Sequence, residues 1–282
     1  MKIGFVGAGK VGSAFGRYLY EKGFKITGYF SRTEDSARKA AEFTKSSVLS
    51  IQELAEESSY IFITTPDGAI SEVWENLKKF NIKGKKIFHM SGCLSSDVFN
   101  SSRDLGVDSY SLHPLYPFTD KNCYDKLNKV IFSLEGENIE NIKEFLDRAE
   151  LKYFLLNKQD KVKYHAAAVF ASNYLVAISK IAKDLLLECG IKEEFIIDAI
   201  YPLMEGALLN IKEKGIEDAL TGPIVRGDYK TINMHLENLR EYKDIYKKLG
   251  LVALGIEREK SCDDEKAKNL DEIEILLRSE GI

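Results

Sequence analysis

Lys161 and His165 stand four residues apart in the run Lys161-Val162-Lys163-Tyr164-His165-Ala166-Ala167-Ala168-Val169-Phe170-Ala171-Ser172-Asn173. At about 100° per residue, a helix places Lys161, His165, Ala168 and Ser172 on one stripe, with Asn173 at its edge. Such a basic pair suits reduction of a carbonyl or imine, where a proton donor near the receiving heteroatom supplies ~10²–10⁴-fold in rate. Polar groups on an alanine-rich, apolar helix are costly to bury without partners. The small neighbours also leave room for a nucleotide or a second helix. Read singly, each residue fits a capping-turn lysine or a hydrogen-bonded core histidine; the pair together points to chemistry.

A reductant requires a place to bind, and the chain starts with one. Lys2-Ile3-Gly4-Phe5-Val6 reads as a strand, Gly7-Ala8-Gly9-Lys10-Val11-Gly12 is a G-x-G-x-x-G turn, and a helix follows from Ser13. In that setting Gly7 makes the tight turn, Gly9 lets backbone approach a pyrophosphate, and Gly12 lets helix and strand pack closely. The helix N-terminus offers amides and a positive dipole end to the phosphates. The ribose selector lies about twenty residues further on. There the chain has Phe30-Ser31-Arg32-Thr33 where an NAD site has an acidic residue, so Ser31 and Arg32 favour the 2′-phosphate of NADP. Glu34 and Asp35 nearby argue the other way, and Ser31 or Thr33 also suits a helix cap.

Further candidates sit where strands end. Thr65, Pro66 and Asp67 follow an apolar strand and would line the dinucleotide, with Asp67 also a plausible N-cap. Ser91 and Gly92 follow the next strand and would meet nicotinamide or substrate. His113 adjoins a stretch stiffened by Pro114 and Pro117, and would wall the pocket. Arg226 lies between glycine-containing turns in Thr221-Gly222-Pro223-Ile224-Val225-Arg226-Gly227-Asp228. It would clamp a substrate carboxylate, with Asp228 the N-cap of the next helix.

The elements that position these residues alternate through the first half. Strands are expected at 24–30, 60–64, 86–89, 108–112, 129–134 and 151–155, with helices at 33–43, 51–57, 68–80 and 96–105. This alternation implies an α/β, doubly wound, mainly parallel sheet. After about residue 156 only helical periodicity remains: 160–189 closed by Gly190 at C′, 192–213, 228–249 and 263–278. Pro202 should kink or break the second of these. The expected domains are therefore residues 1–156, binding the dinucleotide, and 157–282, an all-α substrate and dimerisation domain.

The formal net charge of −4 speaks against a general nucleic-acid binder. No apolar run approaches the ~20 residues that cross a bilayer, and the first strand leaves no room for a signal peptide. Cys93, Cys123, Cys189 and Cys262 show no C-x-x-C pair or metal-ligand spacing, so no metal and a cytoplasmic, reduced setting are expected.

Together these segments resemble Rossmann proteins with a six-phosphogluconate-dehydrogenase-like helical C-terminal domain, in the branch whose C-terminal domain was long of unknown function. The glycine turn, Pro66-Asp67, Ser91-Gly92 and His113-Pro114 carry the resemblance. Its most distinctive segments are Tyr164 to Asn173, Thr221-Gly222-Pro223 and Arg226-Gly227-Asp228. Some members are an alternative type of ketopantoate reductase in pantothenate biosynthesis, which implies NADPH as coenzyme, a small 2-oxo acid as substrate and a homodimer. More distant relatives reduce β-hydroxyacids or pyrroline-5-carboxylate. The β-hydroxyacid type uses a lysine and, four residues on, an asparagine. Lys161 matches the lysine, but His165 replaces the asparagine. The resemblance thus implies Lys161 as proton donor or carbonyl polariser, His165 sharing or replacing it, and Asn173 orienting the substrate. The rivals are an imine reductase and a non-catalytic NAD(P) sensor; in the sensor Lys161 and His165 would be dispensable.

Overall fold

The computed structural model describes residues 1–260 and 264–279; Cys262 and residue 263, the expected start of the last helix, lie outside them. The chain divides into two compact units, Met1–Tyr174 and Leu175–Ile282.

In the first unit, strands β1 (Lys2–Val6), β2 (Lys25–Phe30), β3 (Ser47–Val48), β4 (Tyr60–Ile63), β5 (Lys86–His89), β6 (Asp108–Pro114), β7 (Ile131–Gly136) and β8 (Lys152–Leu155) form one sheet. Their order is β3-β2-β1-β4-β5-β6-β7-β8. All pairings are parallel except β6 with β7, as expected for a doubly wound sheet with an antiparallel element at its edge. The helices are α1 (Lys10–Glu21), α2 (Glu34–Thr44), α3 (Ile51–Glu57), α4 (Asp67–Leu77), α5 (Lys143–Arg148) and α6 (Lys161–Ala171).

Strand alternation sends successive side chains to opposite faces. One face carries an aromatic row in register across five strands: Tyr29, Phe5, Phe62, Phe88 and Tyr110. The rings stack at 5.0 Å, 5.5 Å, 4.5 Å and 5.0 Å in that order, against Phe15 of α1 and Phe145 of α5. Val6, Ile61, Ile63 and Ile87 face the other way, packing with Leu54 of α3 and Ile70 and Trp74 of α4. Fully buried faces of this kind hold the carboxyl ends of the strands rigidly in line.

Several expected elements differ. Residues 96–105 hold a short 3₁₀ turn, Ser96–Val98, and not a helix, because the turn is tied instead to β7 through Glu135. The expected helix 160–189 is interrupted at Ser172 (φ −125°, ψ −69°), giving α6 and α7 (Asn173–Glu188). Serine and asparagine side by side are weak helix formers, because their side chains compete for backbone groups. Gly190 does close α7 in the left-handed region (φ 80°).

The second unit continues with α8 (Glu193–Lys214), α9 (Ile216–Ala219), α10 (Tyr229–Asn238), α11 (Lys243–Arg258) and α12 (Asp264–Arg278). Helix α8 runs through Pro202 without breaking; its 22 residues retain enough hydrogen bonds on either side. The expected helix 228–249 is two, because Leu239 takes an extended conformation (φ −83°, ψ 106°). Ile224, Ile232, Leu236, Leu254, Leu270, Ile273 and Leu277 form this unit's core. On α8, by contrast, Phe195, Ile197, Tyr201, Leu203 and Leu208 are exposed. No helix among the described residues is long and apolar enough to cross a membrane.

Candidate functional site

The glycine turn is shaped by what surrounds it. Gly7 has φ 108°, and a Cβ there would lie 2.8 Å from the Thr64 carbonyl carbon. A Cβ on Gly12 would lie 2.3 Å from Thr64 Oγ1, a hydroxyl that donates to the Gly7 carbonyl at 2.9 Å. Gly9 is different: nothing lies within 4 Å of its Cβ position. It is the residue before α1, and no side chain caps that helix, so the first-turn amides stay open to a ligand.

A cleft of about 660 Å³ lies over this turn, lined by Gly7, Ala8, Gly9, Ser31, Arg32, Thr33, Thr65, Pro66 and α4 residues from Gly68 to Asn76. Lys10, Val11 and Asp67 fall outside its lining. Thr65 Oγ1 is buried there without a partner among the described residues, an orphan that a bound ligand would satisfy. Arg32 is exposed at the rim and in no ion pair among the described residues. Asp35 is engaged with Lys39 and Arg38 of its own helix, which hold its carboxyl below the usual range. Thr33 is the N-cap of α2, though its hydroxyl donates to Ser36 and caps no amide. Open amides, an orphan hydroxyl and a free arginine together fit a phosphorylated dinucleotide. A larger groove of about 790 Å³ runs past residues 96–109 and 135–138. Exposed pairs Lys158–Asp97 and Arg103–Glu137 flank it, and among the described residues it holds no orphaned buried side-chain polar atom. The smaller cleft is therefore the better ligand site.

The second cluster grows from β5, β6 and β7. Ser111 pairs in register with Glu135, and His113 with Ser133, so all four point to one face of the sheet, together with His89. Helix α6 supplies Lys161, which is 1% exposed. Its ammonium donates to the Ser91 carbonyl at 3.1 Å and to Ser111 Oγ at 2.6 Å. Burial lowers its pKa to about 8, opposed by the Glu135 carboxylate, which accepts from the amide and hydroxyl of Ser96 at 2.7 Å each. Ser91 is itself fastened. Its hydroxyl donates to Asp67 at 2.7 Å and accepts from the amides of Cys93 and Leu94 at 3.1 Å. Asp67 is thus the first residue of α4 and not its N-cap, which is Pro66; the carboxylate is turned to Ser91. His89 accepts from the Ser91 amide at Nδ1 and donates from Nε2 to the Ser95 carbonyl, and burial lowers its pKa to about 4.

Gly92 is the contact point of two histidines. A Cβ there would lie 2.5 Å from His165 Nδ1 and 2.9 Å from His113 Nε2, so no side chain fits without moving a ring. The two imidazoles meet edge to face at 5.9 Å, and His165 Nδ1 is buried without a partner among the described residues. The structure therefore gathers Ser91, Gly92, His113, Lys161 and His165 at the carboxyl edge of β5 and β6. Asn173 is exposed at the start of α7, beyond the Ser172 break. Sequence reasoning missed Ser111, Ser133, Glu135 and His89. The available signal was polar residues at period two, Ser109-x-Ser111-x-His113 and Ser133-x-Glu135, alternating with apolar ones along the strands.

Arg226 belongs to the second unit. It is exposed, 4.0 Å from Asp228, whose carboxylate caps α10 through the Thr231 amide at 3.1 Å. The expected N-cap is thus present, and Arg226 makes no other ion pair among the described residues.

Residues 2–88 match the family described as "NADP oxidoreductase coenzyme F420-dependent". Residues 130–252 match a domain of unknown function, DUF2520. The chain thus joins a Rossmann segment of the NADP oxidoreductase type to the C-terminal domain that the motifs resemble. No curated protein sequence matches it. Among solved structures it is similar to a Thermotoga maritima protein, at 28% identity and TM-score 0.73, covering 91% of this chain and 98% of that one. A Bacteroides fragilis protein described as a candidate NADP oxidoreductase gives 22% identity and TM-score 0.71 over 91% and 98%. A Plasmodium falciparum pyrroline carboxylate reductase with NADP bound shares the fold at 15% identity and TM-score 0.61, over 99% and 98%. Among the described residues, no three His, Cys, Asp or Glu side chains are grouped to hold a metal.

Proposed function

We propose that the protein is an NADPH-dependent reductase of a small 2-oxo acid, with 2-dehydropantoate (ketopantoate) the foremost substrate, in pantothenate biosynthesis. The observation that carries this reading is the Lys161 ammonium. It is buried at the carboxyl edge of the same sheet whose first turn leaves open amides for a pyrophosphate. A buried cation with a pKa near neutrality suits a proton donor, and burial sharpens its effect on a developing alkoxide.

Residues Gly7 to Gly12 and Thr65 to Asp67 hold the coenzyme, and Ser31 and Arg32 take its 2′-phosphate. When bound, NADPH supplies hydride to the 2-oxo carbon. Ser91, Gly92 and His113 line the substrate, Lys161 or His165 gives the alkoxide its proton, and Asn173 orients the substrate. Within the first unit, Lys161 is the cation that holds the carboxylate. In this reading residues 1–156 bind the coenzyme, and 157–282 serve substrate binding and pairing of two copies in the cytoplasm. The exposed apolar side chains of α8 favour a homodimer, since contiguous apolar surface of that kind marks an association site.

The names of the similar structures support the NADP part. The pyrroline carboxylate and imine reductases among them make a cyclic imine the rival substrate. The deciding experiment follows NADPH and NADH oxidation across a panel of 2-oxo acids and pyrroline-5-carboxylate. Ketopantoate turned over with NADPH is expected. Turnover of the imine alone would transfer the reading to imine reduction, and calorimetry showing no uptake of either coenzyme would end it.

A further inference from the structure

Tyr164 and Ser133 lie beside His113 and have no part in the catalytic reading. His113 Nδ1 lies 2.7 Å from the Tyr164 hydroxyl, and the two rings meet edge to face at 5.7 Å. Tyr164 comes from α6, one turn after Lys161, and its ring also packs on Phe154. Ser133 is the register partner of His113 on β7; its hydroxyl is buried and makes no well-formed hydrogen bond among the described residues.

The other imidazole nitrogen, Nε2, has no hydrogen bond among the described residues and borders Gly92. It therefore faces the place where substrate is expected.

We propose that Tyr164 locks His113 as the neutral tautomer with hydrogen on Nε2, and that this N–H donates a hydrogen bond to the carbonyl or imine heteroatom of the substrate.

The proposal rests on the reductase reading for its substrate, but the locked tautomer is a property of the free protein. Burial keeps Tyr164 a phenol well past neutral pH, with the Ser133 hydroxyl pulling mildly the other way, so its hydrogen is available to Nδ1. The groups facing His113 are Lys161, Tyr164 and His165 of α6 and His89 of β5. Burial first, then Lys161, His165 and His89, push the His113 pKa down to about 3. A neutral imidazole can polarise a carbonyl without being consumed as an acid. His113 thus orients and polarises, and the proton that ends on the product comes from elsewhere in the cluster. Tyr164 acts through His113 as a positioning residue.

The test is long-range ¹H–¹⁵N correlation of the histidine rings in the free protein between pH 5.5 and 8, with His113 assigned by comparison with His113→Asn. One protonated nitrogen, Nε2, and one bare Nδ1 across that range are expected. An imidazolium, or hydrogen on Nδ1, overturns the proposal whatever the substrate proves to be. In Tyr164→Phe the lock should loosen to a mixture of tautomers. With a substrate in hand, its kcat should fall about tenfold with KM within about twofold, as for one lost transition-state hydrogen bond. A single unchanged tautomer, or a loss confined to KM, overturns it equally.

Discussion

The polar groups left open at the β1 turn are backbone, whereas those clustered at β5 and β6 are side chains. The glycine turn works by leaving space: Gly9 meets nothing, and the α1 amides have no cap. The Lys161 cluster works by filling space: an ammonium with two acceptors, a serine hydroxyl with three hydrogen bonds and two imidazoles pressed on one glycine. Ligand recognition by backbone needs only a short segment with the right conformations. A buried cation needs groups from several strands at once, because unpaired it would be too costly to keep.

That contrast can be broken most forcefully at Lys161. Lys161→Met keeps an unbranched apolar stem one atom shorter and removes the charge; we expect kcat/KM to fall by ~10²–10⁴-fold while coenzyme affinity measured by calorimetry changes little. Loss of coenzyme affinity instead would merge the two regions into one.

A paired substitution probes the turn at smaller amplitude. Gly7→Ala meets both a positive φ and the Thr64 carbonyl, so chemical denaturation should show a loss of ~1–3 kcal/mol. Gly9→Ala meets open space, so stability should hold while the coenzyme Kd rises about tenfold, from close approach of backbone to pyrophosphate. Equal effects on folding at both sites would deny the turn its division of labour.

The smallest expected effect is a pH dependence of stability. Lys161 has its pKa lowered from 10.5 to about 8 by burial. Between these values the unfolded chain holds a proton that the folded chain has released, so folding stability rises with pH there. Below pH 8 the cost of burying the cation is present in full. Denaturation midpoints of the wild type, taken relative to Lys161→Met, should climb from pH 8 towards pH 10. A flat difference would mean that the ammonium is as well solvated inside as outside.

The turn, the alternation of strands with helices and the spacing of Lys161 and His165 were legible because each depends on a pattern along a few residues. Gly7 betrays a backbone conformation that other residues adopt only under strain, Gly12 a close approach that a side chain would block, and an apolar run such as Tyr60 to Ile63 has one sensible place in a doubly wound sheet. Ser111, Ser133 and Glu135 were not legible, since serine or glutamate in a strand ordinarily faces water. Register alone set Ser111 opposite Glu135 and Ser133 opposite His113, on the face that Lys161 of α6 meets. The helix expected at 96–105 failed for a related reason: Glu135, 39 residues from Ser96, outbid local propensity.

From its own letters the chain determined a nucleotide-type turn, an alternating sheet and a basic helix after it, because local conformation follows local spacing. Folding decided what each basic group became. Lys161 was turned into a buried, hydrogen-bonded cation, and His113 into a neutral ring held by a tyrosine 51 positions away, because burial and partners set protonation and neither is written in the neighbouring residues.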